Sequence, residues 1–357
     1  MNARFATTRD LIRLNMDLAY AIMLTTASRR RHGPRRSQWP WWFESIEQLM
    51  ARSLPGVDDV LVDEIRAPLD RATRLPLWPR VGIQQVEVNG LPAEWISARS
   101  PNDRVILFLH GGGYVSGSPR THRTLTAELA NVTQGRVLAP AYRLAPEATY
   151  PAALEDAWGV YWWLLDQGVP PSRIVVMGDS AGGGLTIALL LALRDAGLPL
   201  PAGAAGLSPW VDLAMTGATL QANAPTDYIN ENVLRASARM YLDGRCPQET
   251  PLASPLYADL RGLPPLLIQA GSAEMLLDDA LRLAEAAQAA GVDTTLEVWD
   301  DMIHVWHFFY RIAPGARQAV DHIAGFVARL VPVAPAQLQW PKPRARKRVP
   351  KWLRRRK

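Results

Sequence analysis

One cysteine, Cys246, stands in 357 residues, and that scarcity excludes an internal disulfide and any cysteine-based zinc site. The lone thiol is compatible with a reducing compartment. The six histidines fall into no metal-binding signature, so neither a metal nor another cofactor is expected. No internal repeat is visible at a period of about 20 to 50 residues, which argues against solenoids and propellers. Long hydrophobic runs are missing too. The longest apolar stretch near the N-terminus, Leu11 to Ala27, is broken by Arg13, Asn15 and Asp17 and reads as neither a membrane span nor a secretory leader. Its Leu11, Leu14, Leu18 and Ile22, with Tyr20 and Met23, recur at helical spacing and predict an amphipathic helix suited to a lid or a surface. The expected location is cytoplasmic, with peripheral membrane contact as an added expectation.

What is present is ordinary globular material: 48% hydrophobic and 20% charged residues, 29 Pro and 25 Gly. That length buries a sizeable core and suits one large domain with a decoration. The formal charge of +5 is misleading, because ten basic residues and no acid lie between Pro341 and Lys357. The remainder carries 29 basic against 34 acidic residues and is mildly acidic, so the basic balance describes a tail rather than a binding face. The tail, with Trp340 and Trp352, suits contact with anionic lipid, nonspecific contact with nucleic acid, or a solvated disordered end. Arg29 to Arg31, Arg35 and Arg36 extend a membrane-facing surface if the N-terminal helix lies in the same plane. No specific nucleic-acid partner is expected.

From about residue 85 onward, short β-rich runs alternate with helical patterns. Strands are predicted at Val105–Leu109, Arg136–Ala139, Ile174–Met177, Ala204–Leu207, Leu266–Gln269 and Thr295–Trp299. Helices are predicted near Thr121–Val132, Ala152–Gln167, Gly183–Ala196, Asp279–Ala290 and Ala316–Leu330. Such alternation implies an α/β fold with a mostly parallel central sheet flanked by helices. Gln85–Val88 and Ala93–Ser97 around Asn89-Gly90 predict an antiparallel hairpin entering it. Two stretches break the pattern. Residues 1–80 are rich in Trp and Arg and punctuated by Pro34, Pro40, Pro55 and Pro68, and about 210–260 is inserted between two core strands with one helical pattern at Glu231–Tyr241. Insertions after a strand's C-terminal end overlie the crevice where such sheets bind ligands, so the two stretches are expected to form one cap. Trp39, Trp41, Trp42 and Phe43 either line it or pin it to the core. The expected division is a helical cap over 1–80, a core over 81–335 and a disordered basic tail over 336–357.

Gly178-Asp179-Ser180-Ala181-Gly182 fits G-x-S-x-G, follows an apolar strand and opens a helix. A strained strand-to-helix turn would project the Ser180 hydroxyl, and the helix N-terminus favours negative charge beside it. His110-Gly111-Gly112-Gly113 ends the strand Val105–Leu109, and its glycines let backbone N–H groups approach an oxyanion. The oxyanion hole is therefore assigned to the N–H groups of Gly112, Gly113 and Ala181. A phosphate cradle is disfavoured because no Gly-Lys-Ser/Thr follows. His110 is read as orienting its loop.

A base for Ser180 should come late in the chain. His304 sits just beyond the last strand and is the choice, with His307 as competitor; His32, His122 and His322 lie elsewhere. The orienting acid should follow Leu266–Gln269, where Glu274 is nearest the strand end, while Asp278 and Asp279 look like a helix's first turn. Glu274 is preferred and Asp278 stays open.

Together His110-Gly-Gly-Gly, Gly-Asp-Ser180-Ala-Gly-Gly, Tyr142-Arg143-Leu144-Ala145-Pro146-Glu147 with Pro151 and Asp156, and Met302-Ile303-His304 resemble the bacterial hormone-sensitive-lipase-like esterases. The resemblance covers about residues 85–330. It implies an α/β-hydrolase core, an N-terminal helical cap, cofactor-free hydrolysis of short- to medium-chain acyl esters, and relatives that often pair into dimers through the sheet edge or cap. It supports the oxyanion assignment and the register of Glu274, although many relatives carry Asp-Pro-Leu where Glu274-Met275-Leu276 stands here. Glutamate is one methylene longer, which keeps Asp278 in play. The expected chemistry is acyl transfer through Ser180, with His304 as base and activity rising with pH as its ring becomes neutral. Two rival expectations are an inactive hydrolase fold that binds a small molecule, and an amide or carbamate hydrolase using the same residues.

Overall fold

A computed structural model describes residues 8–36, 39–53, 62, 66 and 81–333, with side chains of the first helix from Met16 onward. The basic tail, most of residues 54–80, and the side chains of Leu11 and Leu14 lie outside the described residues.

The hairpin forms where expected: β1 (Gly82–Val88) and β2 (Leu91–Ser97) pair antiparallel through Asn89 and Gly90, whose φ values of 54° and 88° are those a two-residue turn of this hand demands. β3 (Val105–Leu109), β4 (Arg136–Pro140), β5 (Ile174–Asp179), β6 (Gly203–Leu207), β7 (Leu266–Gly271) and β8 (Thr294–Trp299) are mutually parallel, and the sheet runs β1-β2-β4-β3-β5-β6-β7-β8. β3, β5, β6 and β7 are buried throughout because helices cover both faces, which is why they read as continuous apolar runs rather than alternating ones.

Alternation within β3 divides the core. Val105, Leu107 and Leu109 pack with α4 (Ala152–Asp166), α5 (Ala181–Asp195) and α8 (Leu277–Ala289), whereas Ile106 and Phe108 face α3 (Arg123–Thr133) and α9 (Pro314–Leu330). The stretch between β6 and β7 carries α6 (Thr219–Ala222) and α7 (Glu231–Leu242), the latter begun by Asn230, whose side chain accepts the Val233 N–H at 2.9 Å.

Ahead of the hairpin stand α1 (Thr8–His32) and α2 (Trp41–Ser53), tied by an Arg29–Glu44 ion pair at 3.2 Å. These helices touch the insertion and the loop after β8. Arg35 reaches Pro225 O, Arg36 reaches Thr226 Oγ1, and the Trp39 indole donates to Asp301 O at 2.5 Å. Of the aromatic quartet, Trp39 and Phe43 are buried in the core shared with Trp306 and pin α2 down, while Trp41 remains 54% exposed. Among the described residues no helix is long and apolar enough to cross a membrane.

Candidate active site

Strand order alone gathers the chemistry. The loops after β3, β5, β6, β7 and β8 open at the C-terminal ends of the parallel strands, and they carry His110–Gly113, Ser180, Ser208, Glu274 and His304 respectively.

Ser180 separates β5 from α5 with φ 52° and ψ −123°, a backbone conformation that costs about 1–3 kcal/mol unless neighbours hold it. They do. Its N–H donates to Leu207 O, and its carbonyl accepts from Gly184 and Trp210. The turn also needs its glycines: a Cβ at Gly178 would lie 2.2 Å from Gly182 O, and one at Gly182 would lie 2.0 Å from Leu109 O and 2.5 Å from His110 O. Gly182→Ala is therefore expected to destabilise the protein by about 1–3 kcal/mol and to displace the His110–Gly113 loop. Gly325→Ala, in mid-α9 with open space around it, is expected to stabilise by about 0.5–1 kcal/mol. Urea unfolding midpoints of the two variants would check both.

The glycine loop is fastened to the serine turn by Asp179. Its Oδ1 accepts the Gly111 N–H at 3.0 Å and its Oδ2 meets His122 Nε2 at 3.2 Å, all in the interior. Burial pushes this carboxyl up, but the approach and hydrogen bond of His122 and the Gly111 N–H outweigh it and hold Asp179 below its usual range. His110 stacks on Tyr142 at 4.1 Å, its Nδ1 meets Gly111 O at 2.8 Å, and burial lowers its pKa to about 3. A neutral, packed ring of this kind orients a loop. Gly112 and Gly113 turn with φ 116° and 64°, and the N–H groups of Gly112, Gly113 and Ala181 make no hydrogen bond among the described residues.

His304 and Glu274 are both buried, with Nδ1 to Oε2 at 3.8 Å; His304 Nδ1 and Glu274 Oε1 have no hydrogen-bond partner among the described residues. Asp278 turns elsewhere, its Oδ2 accepting the Thr219 N–H at 3.2 Å, and Asp279 Oδ2 accepts from Val211 and Asp212 at 2.9 and 2.8 Å. His307 lies in a short 3-10 turn, Trp306–Phe309, with Nε2 on Gln269 Oε1 at 2.8 Å. Among the described residues no group of three or more His, Cys, Asp or Glu side chains is placed to hold a metal.

Residues 106–308 match the family described as alpha/beta hydrolase fold. An acetyl-hydrolase of Streptomyces hygroscopicus is 47% identical over 243 residues, 68% of this chain and 81% of its own. An esterase of Acinetobacter venetianus is 36% identical over 295 residues, 82% of this chain and 97% of its own. The crystal structure of an esterase from the bacterial hormone-sensitive lipase family superposes with a TM-score of 0.72 at 44% identity, covering 88% of this chain and 98% of that one. The chain belongs to the bacterial hormone-sensitive-lipase-like esterases. EstE5, an esterase whose crystals were soaked with p-nitrophenyl butyrate, superposes on this esterase with a TM-score of 0.76 at 41% identity over 80% of this chain and 97% of its own.

Two side chains at the site of this esterase carry no motif. Ser208, buried at the end of β6 with φ 48°, donates its hydroxyl to Glu274 Oε2 at 2.6 Å and accepts the Val305 N–H at 3.0 Å. Asp227, inside the insertion, accepts backbone N–H groups from Met275 and His304. A serine closing a core strand ahead of an insertion was the one available signal for Ser208; Asp227 had none.

Burial sets the protonation of the pair. It lowers the His304 imidazole from its ordinary 6.5 to about 4, against the Asp179 charge, and it raises the Glu274 carboxyl well above its usual range, against the Ser208 hydroxyl. A ring with a lowered pKa stays neutral, and able to accept a proton, further into acid. The rise of activity with pH expected from an ordinary histidine is thereby displaced. With His304 as base, kcat/KM for a chromogenic ester is expected to be level down from pH 8 to about pH 5 and to reach half its plateau near pH 4. An inflection at or above 6.5, with chemistry rate-limiting, would contradict it.

Proposed function

We propose that the esterase hydrolyses short- to medium-chain acyl esters through an acyl-enzyme on Ser180, with His304 as general base, Glu274 as its orienting acid and the N–H groups of Gly112, Gly113 and Ala181 as oxyanion hole. The observation that carries this reading is the buried approach of His304 Nδ1 to Glu274 Oε2 at 3.8 Å, at the same C-terminal end of the strands where Ser180 stands on a strained turn. Hydrogen bonds of this kind are often long in a free enzyme and tighten when substrate orders the site.

Ser180 Oγ attacks the ester carbonyl while His304 takes its proton. The carbonyl oxygen becomes an oxyanion facing N–H groups that have no hydrogen-bond partner among the described residues, so little reorganisation opposes its stabilisation. The same burial that disfavours each charge alone favours them together, so the imidazolium that forms and the Glu274 carboxylate support one another. His304 then protonates the leaving alcohol, and water repeats the cycle on the acyl-enzyme.

The Streptomyces relative is named an acetyl-hydrolase and EstE5 was soaked with a butyrate ester, which supports small acyl groups here. A p-nitrophenyl ester series from acetate to laurate is expected to give the highest kcat/KM between acetate and hexanoate. A fall of about tenfold or more is expected by laurate, since a pocket fitted to short chains forfeits the added methylenes. A profile rising steadily to laurate would overturn the chain-length assignment.

A further inference from the structure

Asp227 is only 4% exposed, yet no basic side chain forms an ion pair with it among the described residues. A buried carboxylate without a cation is costly unless N–H groups surround it. Here they come from three places in the chain: Oδ2 accepts from Met275 N at 2.8 Å, and Oδ1 accepts from Tyr228 N at 2.9 Å and from His304 N at 3.2 Å. Met275 adjoins Glu274. One carboxylate thus holds the backbone of His304 and the backbone beside Glu274.

Its neighbours run along the same turn. Asn223 Nδ2 donates to Ser272 O and Glu274 O at 3.1 and 2.8 Å, and Thr226 Oγ1 donates to Ala273 O at 3.0 Å. From the other side Arg35 and Arg36, between α1 and α2, reach Pro225 O and Thr226 Oγ1, each at 3.4 Å. Segment 223–227 is therefore clamped between the N-terminal helices and the loop bearing Glu274. Elsewhere in the molecule, the cavity beside Tyr310, Arg311 and Arg317 offers no comparable convergence, because Arg317 is already paired with Glu128 and Asp321.

We propose that Asp227 is a positioning residue for ester hydrolysis, fixing the spacing between the Glu274 turn and the His304 backbone so that acid and base stay aligned. This rests on the reading of Ser180, Glu274 and His304 as the reacting unit. Asparagine is the informative replacement. It keeps the size of the side chain but exchanges one acceptor for a donor, so it accepts from the Met275 or the His304 backbone and repels the other.

The test compares wild type, Asp227→Asn, Thr226→Val and Ser180→Ala in the full chain, by p-nitrophenyl butyrate kinetics, by the rate and stoichiometry of labelling with a fluorophosphonate, and by thermal unfolding. For folded Asp227→Asn the expected result is a fall in kcat of about 10- to 100-fold, with KM within about twofold and complete but slower labelling by the same factor, the signature of a misaligned base. Wild-type kcat and labelling rate in the folded variant would overturn the proposal. So would a loss accounted for wholly by a smaller labelled fraction whose survivors react at the wild-type rate, since that marks a merely structural role. If Asp227→Asn does not fold, Thr226→Val, which removes the hydroxyl shared by Ala273 O, Asn223 O and Arg36 and so loosens the same clamp, is expected to slow labelling about threefold or more in the same sense; an unchanged rate there overturns the proposal. Failure of the underlying reading looks different: Ser180→Ala would then turn over ester at close to the wild-type rate or take up label, whatever the Asp227 variants do.

Discussion

Ser180→Ala is expected to lower kcat for p-nitrophenyl butyrate by about 10⁴- to 10⁶-fold while leaving the fold intact. Among the described residues the hydroxyl makes no hydrogen bond that the turn depends on: the backbone of Ser180 is held through its N–H to Leu207 O and through its carbonyl, which accepts from Gly184 and Trp210. Alanine accepts the same positive φ about as well as serine, so the unfolding midpoint should move little. A second variant sharpens the result. If His304 acts only through Ser180, His304→Ala should cost about as much as Ser180→Ala, and the double variant should be scarcely worse than either single one. Multiplicative losses, measured by active-site-titrated kinetics, would mean that the two side chains act independently. If the N–H groups of Gly112, Gly113 and Ala181 form the proposed oxyanion hole, a small residual turnover is expected in all three variants, because those groups need neither side chain.

Legibility in the sequence followed locality. β3 and β5 to β7 were visible because strands covered on both faces are apolar throughout, and the hairpin because Asn-Gly accepts two positive φ values. Ser180 was visible because a strained turn next to two close backbones requires glycines at fixed offsets. Glu274 and His304 were visible as residues just past the ends of neighbouring parallel strands, a place that chain order alone supplies. What was not visible depends on contacts between distant backbones. Asp227 binds N–H groups that every residue possesses, so no partner residue type announces it. Ser208 sits between Glu274 and the Val305 N–H only because β6 lies beside β7. The lowered pKa of His304 comes from burial that its own segment does not encode. The aromatic quartet was undecided between lining and pinning for the same reason, and Trp39 and Phe43 turn out to pin because the surface they meet, around Trp306 and Phe309, is formed more than 250 residues later.

Glu274→Ala is expected to reduce kcat by about 10²- to 10⁴-fold, and Asp278→Ala by less than tenfold. The difference follows from what each carboxylate touches. Glu274 is fully buried, faces His304 Nδ1 at 3.8 Å and is fixed from behind by the Ser208 hydroxyl at 2.6 Å. On the proposed mechanism, without it the imidazolium formed in the first step would have no counter-charge in a site that burial has already made hostile to charge, and nothing would select the tautomer that leaves Nε2 free to accept. Asp278 instead accepts the Thr219 N–H at the start of α6, and its own N–H donates to Thr219 Oγ1. Removing its carboxylate loosens the insertion by about 0.5–2 kcal/mol, as loss of a capping group does, and reaches the reaction only through that loosening. Glu274→Asp separates the two ways in which Glu274 could matter. It keeps the charge but shortens the side chain by a methylene, widening a gap that is already 3.8 Å, so it should fall between wild type and Glu274→Ala if alignment counts and match wild type if charge alone suffices. Kinetics of the three variants at pH 7.5, alongside their unfolding midpoints, decide the matter; a larger loss in Asp278→Ala than in Glu274→Ala, in proteins of equal stability, would transfer the role of the acid to Asp278.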